Sequence, residues 1–403
     1  MFAQLSSLFP SVFPWISAVL ALGVVLVART LRGRLYATFV GILLTIHTLI
    51  SVGMARSFAQ IWPVYLFLQI AVYLHFALLA IPKLRPVWYR ALISVPASYF
   101  SAATILALPW SIVAALGFTP HGWFVPYVVA LFGVVQSLRM PFEETDITLD
   151  GEHAPKLQRH ALGKVRQERP LRIVQITDPH LGPFMSEKRL HAIAERAAKA
   201  NPDLVLLTGD FLTMESYEAR ASLARAFEPL KALPGRVFAC LGNHDHESLD
   251  TVAGALRDIG ATLLIDEERT VETPAGPVQI LGMDFHFRDR APRMKRIFQR
   301  YPRLPGHKRI VLLHDPGAFR HVPDGEADLV FGGHTHGGQL GLLVFGLPHT
   351  FVSTFTEIPD HGLWALGRNR LYVHRGTGHY GFPLRVGVPG EESVLRVHWA
   401  ENA

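Results

Sequence analysis

Five short segments beyond residue 170 of this 403-residue chain carry its most chemically specific residues. They read Thr177-Asp178-Pro179-His180, Gly209-Asp210, Gly242-Asn243-His244-Asp245, Leu312-Leu313-His314-Asp315-Pro316 and Gly332-Gly333-His334-Thr335-His336. Imidazole and carboxylate oxygen suit manganese, iron, zinc or nickel better than the all-oxygen shell of magnesium or calcium. Two such cations about 3.5–4 Å apart can clamp a phosphoryl group and draw a nucleophile from water. Ions that close repel unless they share a negative ligand. Asp210, alone at its segment and preceded by a glycine, is suited to bridging them. A single D-x-H or Gly-Asp is usually only a turn, but five in this order point to one site.

The segments need elements to bring them together. Each follows an apolar run that reads as a strand: 171–177, 204–208, 236–241, 309–313 and 329–331. The first three alternate with helical periodicity at 186–200, 217–231 and 249–259, which argues for an α/β layer structure. Beyond 261 the helices thin out. Further strands at 271–272, 278–281, 371–374 and 394–397 imply a second sheet packed on the first. In α/β proteins ligands sit at strand C-termini along one sheet edge, so the five turns should converge there.

The first third of the chain is of another kind. Up to Arg139 it is essentially without acids and strongly apolar, whereas the rest carries a normal mix of charges. A helix needs roughly 20 apolar residues to cross hydrocarbon. About five candidates occur, at 13–28, 35–54, 61–81, 91–117 and 123–138; Pro96 and Pro109 kink the fourth, and the fifth is short. Trp15, Trp62, Trp88, Trp110 and Trp123 fall near segment ends, as an aromatic belt requires. Arg29, Arg32, Arg34, Lys83, Arg85, Arg90 and Arg139 sit in alternate loops, which should be cytoplasmic. With five spans the soluble half then faces the cytoplasm of an inner-membrane protein; with four it faces out. His47 and His75, within spans that hold no acid, read as helix-packing residues rather than a proton relay.

These features give a transmembrane helical domain over 1–140, a polar linker over 141–170 and an α/β domain over 171–403. The single cysteine, Cys240, excludes a disulfide framework and reads as buried. The net charge of +6 suits an anionic substrate or lipid surface, and no basic run is dense enough for nucleic acid.

The motif set Asp178/His180, Gly209-Asp210, Asn243-His244-Asp245, His314 and His334/His336 resembles the calcineurin-like metallophosphoesterases, over about 171 to the C-terminus. The resemblance implies two packed β-sheets flanked by helices. It also implies one metal held by Asp178, His180, Asp210 and His336, and a second held by Asp210, Asn243, His314 and His334. Manganese is the expected metal at both, with iron, zinc or nickel as alternatives. His244 would be the non-ligand histidine that protonates the leaving oxygen or steadies the transition state, with Asp245 a candidate to orient it. Pro179 is an unusual residue between the first two ligands, and Thr213 stands where many relatives carry a second acid. The stretch GHTHGGQL, with HRGTGHYGFPLRVGVPGE near the C-terminus, looks like a membrane-linked bacterial branch. That branch includes cell-envelope phosphodiesterases and enzymes that split UDP-diacylglucosamine. Arg375 and His379 are candidates for substrate contact or loop structure.

The expected function is hydrolysis of a phosphodiester or pyrophosphate in a phosphate-containing, lipid-linked substrate at the bilayer. The alternative is a membrane sensor or transporter regulated by the metal-binding domain.

Overall fold

A computed structural model of the chain describes residues 2–163, 166–379, 381 and 384–400. Tyr380, Phe382 and Pro383 of the C-terminal motif lie outside these. The chain divides into two compact units: Met1–Leu138 with Gly381–Val386, and Arg139–Tyr380 with Gly387–Ala403.

The first unit is helical: α1 (Phe2–Arg32), α2 (Arg34–Met54), α3 (Trp62–Leu79), α4 (Val95–Leu106), α5 (Leu108–Ala115) and α6 (Val125–Leu138). Two helical runs, Gln4–Arg32 and Arg34–Leu79, are long and apolar enough to cross a membrane. A third results if Val87–Leu106 and Leu108–Ala115, bent by 59°, count as one. The second run folds back on itself through the tight helical turn Ala55–Ile61. Tyr65 Oη donates to the Ser51 carbonyl (2.8 Å), His47 Nε2 meets Gln69 Oε1 (3.1 Å) and Thr48 Oγ1 meets Tyr73 Oη (2.7 Å). Those pairs run in opposite directions along α2 and α3, as an antiparallel hairpin requires. Gln69 also donates to Ser17 Oγ on α1 (3.2 Å), so His47 belongs to a buried packing network. The expected fifth span meets α6, whose 14 residues extend only about 21 Å. That is short of hydrocarbon about 30 Å thick.

The second unit contains thirteen described strands. They are β1 (Phe142–Leu149), β2 (Ala154–Arg159), β3 (Leu171–Ile176), β4 (Leu204–Leu207), β5 (Val237–Ala239), β6 (Thr262–Leu263), β7 (Glu267–Thr273), β8 (Gly276–Gly282), β9 (Lys308–Leu312), β10 (Leu329–Gly332), β11 (Gly362–Gly367), β12 (Asn369–Val373) and β13 (Glu392–Trp399). One sheet has the order β1-β13-β3-β4-β5-β6, the other β2-β11-β12-β10-β9-β8-β7. The middle of each sheet is parallel, β3 to β6 in one and β8, β9, β10 and β12 in the other. Parallel strands buried on both faces read as continuous apolar runs, which is why they were legible in the sequence.

Alternate residues of each strand divide between two cores. Ile173, Leu204, Leu206 and Phe238 meet Ile280, Ile310, Leu312 and Phe331 between the sheets, with Cys240 buried among them. Val174, Ile176, Val205 and Leu207 face outward onto α7 (Glu187–Lys199), α8 (Arg220–Ala226) and α9 (Leu249–Asp258). Leu281, Val311 and Val330 pack under α10 (Arg290–Arg300), through Met294, Ile297 and Phe298. The fold is thus the two-sheet α/β architecture expected.

Much of the segment expected to be a polar linker, 141–170, is instead built into the two sheets. It supplies β1, parallel to β13, and β2, antiparallel to β11. Their charges hid them, because most of the compensating cations lie far off in sequence. Asp146 accepts from Arg396 (2.9 and 2.8 Å) and His398 (2.8 Å), and Glu144 from Arg396 (2.9 Å). Helix α10 was also unforeseen: its polar composition leaves only Met294, Ile297 and Phe298 to mark the buried face.

Candidate metal centre

The turns after β3, β4, β5, β9 and β10 meet at one edge. Asp178, His180 and His336 offer ligand atoms within 4.8 Å of one another, and so do Asp210, His314 and His334. The two groups adjoin. His180 Nε2 is 3.2 Å from His336 Nε2 and 3.7 Å from Asp210 Oδ2. His314 Nε2 is 3.3 Å from Asp210 Oδ2 and 3.9 Å from Asp178 Oδ1. Asn243 Oδ1 is buried without a hydrogen-bond partner.

The backbone is bent to aim these groups. Asp178, His180, Asp210, His334 and His336 all have positive φ, between 47° and 66°. Such conformations cost non-glycine residues energy and gather at functional sites. Gly333 has no alternative: a Cβ there would lie 2.3 Å from Asp178 Oδ2. The imidazoles are oriented from behind. His314 Nδ1 stands 2.6 Å from the Thr208 carbonyl and His180 Nδ1 3.3 Å from that of Leu212, so donation from Nδ1 leaves Nε2 facing the site. Asp178 is held by Thr177 Oγ1 (2.7 Å) and the His334 amide (2.9 Å).

The electrostatics call for positive charge. Burial pushes Asp178 up to about 6, helped by the neighbouring Asp210 carboxylate. Burial pulls His314 down, but Asp210 and Asp178 outweigh it and hold His314 up to about 10. Burial lowers His180 to about 4, which keeps it in the neutral form that ligates metals. Buried carboxylates, imidazoles whose Nε2 faces the site and an orphaned amide oxygen form a donor set that fits divalent cations.

His244 lies among the ligands yet stays partly open, its ring 5.7 Å from that of His180 and its side chain 19% exposed. Its amide donates to Asp210 Oδ1 (2.9 Å). Burial lowers its pKa, but Glu247 (3.7 Å from Nδ1) and Asp210 raise it more, so the net shift is upward. Asp245 faces the other way. Its oxygens accept the amides of Asp210, Phe211 and Gly242, each at 2.8 Å, which pins the two turns to each other. Glu247 escaped the sequence reading, although an acid three residues after His244 was a visible signal.

Thr213 Oγ1 donates to the Leu181 carbonyl (3.0 Å), a structural role. Arg375 is committed to Glu391 and Glu143, each at 3.1 Å, and His379 packs on Phe184 with rings 5.2 Å apart. These contacts tie both residues to neighbouring segments of the domain. Phe285, on a segment without any motif, lies 6.1 Å from the His334 ring and 6.4 Å from that of His314, and so lines the approach.

Fold and donor set together are those of a metallophosphoesterase domain. The family of calcineurin-like phosphoesterases matches residues 171–338, and the chain belongs to it. This family uses a binuclear metal centre. An uncharacterized metallophosphoesterase of Helicobacter pylori is 27% identical, over 62% of this chain and 65% of that protein. The chain therefore spans just under two thirds of the length of that relative. The phosphodiesterase YaeI of Escherichia coli is 28% identical over 60% of this chain and 88% of its own length. The UDP-2,3-diacylglucosamine pyrophosphatase LpxG of Chlamydia muridarum is 29% identical over 56% and 83%.

Proposed function

We propose that this chain is a membrane-anchored phosphohydrolase that cleaves a phosphodiester or pyrophosphate bond in a lipid-linked, cell-envelope type of substrate such as UDP-diacylglucosamine. The observation that carries the reading is the meeting of two adjoining donor groups from separate strand ends, beside a partly open histidine.

In this reading Asp178, His180, Asp210 and His336 hold one ion, and Asp210, Asn243, His314 and His334 the other, with manganese the first candidate. A bound pair of divalent ions supplies Lewis-acid stabilisation of the phosphoryl oxygens and eases deprotonation of water. His244 holds the proton that the leaving oxygen takes up, because Glu247 and Asp210 favour its charged form. Asp245 is a positioning residue that keeps the Asp210 and Asn243 turns in register. Membrane anchoring favours a substrate confined to the same bilayer, since confinement raises effective concentration. LpxG, named for such a substrate, supports that choice. With five spans, the basic loops of the helical unit favour the cytoplasmic side for the catalytic domain.

Purified full-length protein with Mn²⁺ should hydrolyse bis-p-nitrophenyl phosphate and, faster, UDP-diacylglucosamine in mixed micelles. His244→Ala should abolish both activities while metal stays bound. Normal turnover in that variant would remove its role, and diester cleavage without lipid-substrate cleavage would remove the substrate assignment.

A further inference from the structure

The turn that carries His334 and His336 leads straight into an unusual surface. Residues 329–356 contain no Asp, Glu, Lys or Arg. Within this stretch Leu342, Val344, Phe345, Leu347, Phe351 and Phe355 are all exposed, Phe345 at 75% and Phe355 at 71%. A soluble domain gains nothing from a cluster of this size in water, and such clusters mark interaction sites.

The segment is ordered as a flap. Gly341 bridges Thr350, the Leu342 amide donates to the His349 carbonyl (2.8 Å), and the Phe351 amide donates to that of Leu340 (2.8 Å). Thr350 and Ser353 cap the helical turn Phe351–Phe355, whose two phenyl rings lie 4.8 Å apart. Asp360 ties the flap to the metal-site turn, accepting Thr350 Oγ1 on its carboxylate and Thr335 Oγ1 on its carbonyl (2.7 Å).

Arg159 stands at one edge of the flap, and the exposed Glu357 follows its last turn. Arg159 donates to the Pro348 carbonyl (3.2 Å) and to Asp360 Oδ1 (2.7 Å). The Asp360 side chain is fully buried, whereas that of Arg159 is 32% exposed, so the pair turns its cation outward. An apolar face without a single charge to desolvate, edged by a guanidinium, is complementary to anionic headgroups over hydrocarbon. The same chain carries helical runs of membrane-crossing length, which keep this domain tethered to a bilayer.

We propose that residues 342–355 form an interfacial flap that inserts its apolar side chains into an anionic bilayer surface. The flap thereby holds the metal-bearing turn at the lipid headgroups. The inference rests on the helical unit being embedded in membrane, and its test reads that condition separately.

Full-length protein would be reconstituted in anionic nanodiscs with an environment-sensitive fluorophore on one introduced cysteine; Cys240, fully buried, escapes labelling. The probes are Phe345→Cys and, as a second site, Phe355→Cys. Leu22→Cys on the exposed side of α1 is the membrane control, and Glu195→Cys on α7 the aqueous control. The flap probes should emit at shorter wavelength than the Glu195 probe, lose most of their emission to brominated lipid, and resist aqueous iodide. Quenching of the Leu22 probe alone would overturn the flap proposal and leave anchoring standing. Flap probes shielded from iodide but untouched by brominated lipid would mean that protein, such as a second copy, covers the face, and would also overturn it. No lipid quenching at Leu22 would remove the anchoring reading together with the flap.

Discussion

Nε2 of His180 and Nε2 of His336 face each other across 3.2 Å, with the two rings stacked at 20°. With His180 neutral and its Nδ1 turned to the Leu212 carbonyl, its lone pair points at the partner ring. A cation held by His180, His336 and Asp178 would resolve that meeting better than a hydrogen bond. His336→Ala should therefore lose one of two bound ions, read by elemental analysis of protein purified from Mn²⁺-supplemented medium. Turnover should fall about 100-fold or more. Full metal content in the variant would remove His336 from the ligand set.

Asp245 satisfies three buried amides at the base of the site, so Asp245→Asn replaces one accepting oxygen by a donor that opposes them. A buried amide left unpaired costs about 1–3 kcal/mol. The apparent Tm in detergent should drop by several degrees, with metal content falling in parallel. An unchanged Tm would show that these contacts are replaceable.

Glu247 should matter through His244. Glu247→Gln is expected to lower kcat about 10-fold with KM and metal content unchanged, and Glu247→Asp to recover part of the loss. A change in KM alone would point to substrate binding instead.

Acid sensitivity should trace partly to Glu391. Burial raises its pKa, but His374, Arg375 and the Tyr372 hydroxyl outweigh that and hold it at about 2. A depressed carboxylate stabilises the fold above its unfolded value of about 4.3, and the contribution drains away as pH falls toward 2. Its size at neutral pH is on the order of 3 kcal/mol. Glu391→Gln should be less stable at pH 7 and show a flatter decline between about pH 4 and 2, followed by intrinsic fluorescence. An unaltered acid slope would place the sensitivity elsewhere.

How much of this was visible beforehand depended on whether the signal was local. Apolar runs such as 171–177 and 309–313 announced themselves because parallel strands between two layers exclude polar side chains. The ligand residues stood out because each closes such a run with a residue type that has little reason to be there except chemistry. The sequence by itself thus determined the α/β layering, the apolar helical region and the seven metal-ligand candidates.

Only the tertiary structure decided what depends on partners distant in the chain. β1 became a strand because Arg396 and His398 neutralise its acids from β13. Arg375 became a loop anchor because Glu143 and Glu391 reach it from both ends of the domain. Asp245 turned toward amides, and Glu247 toward His244, according to the direction of one tight turn. Charge compensation and side-chain aim act through space, at distances of a few ångströms between residues up to about 250 positions apart.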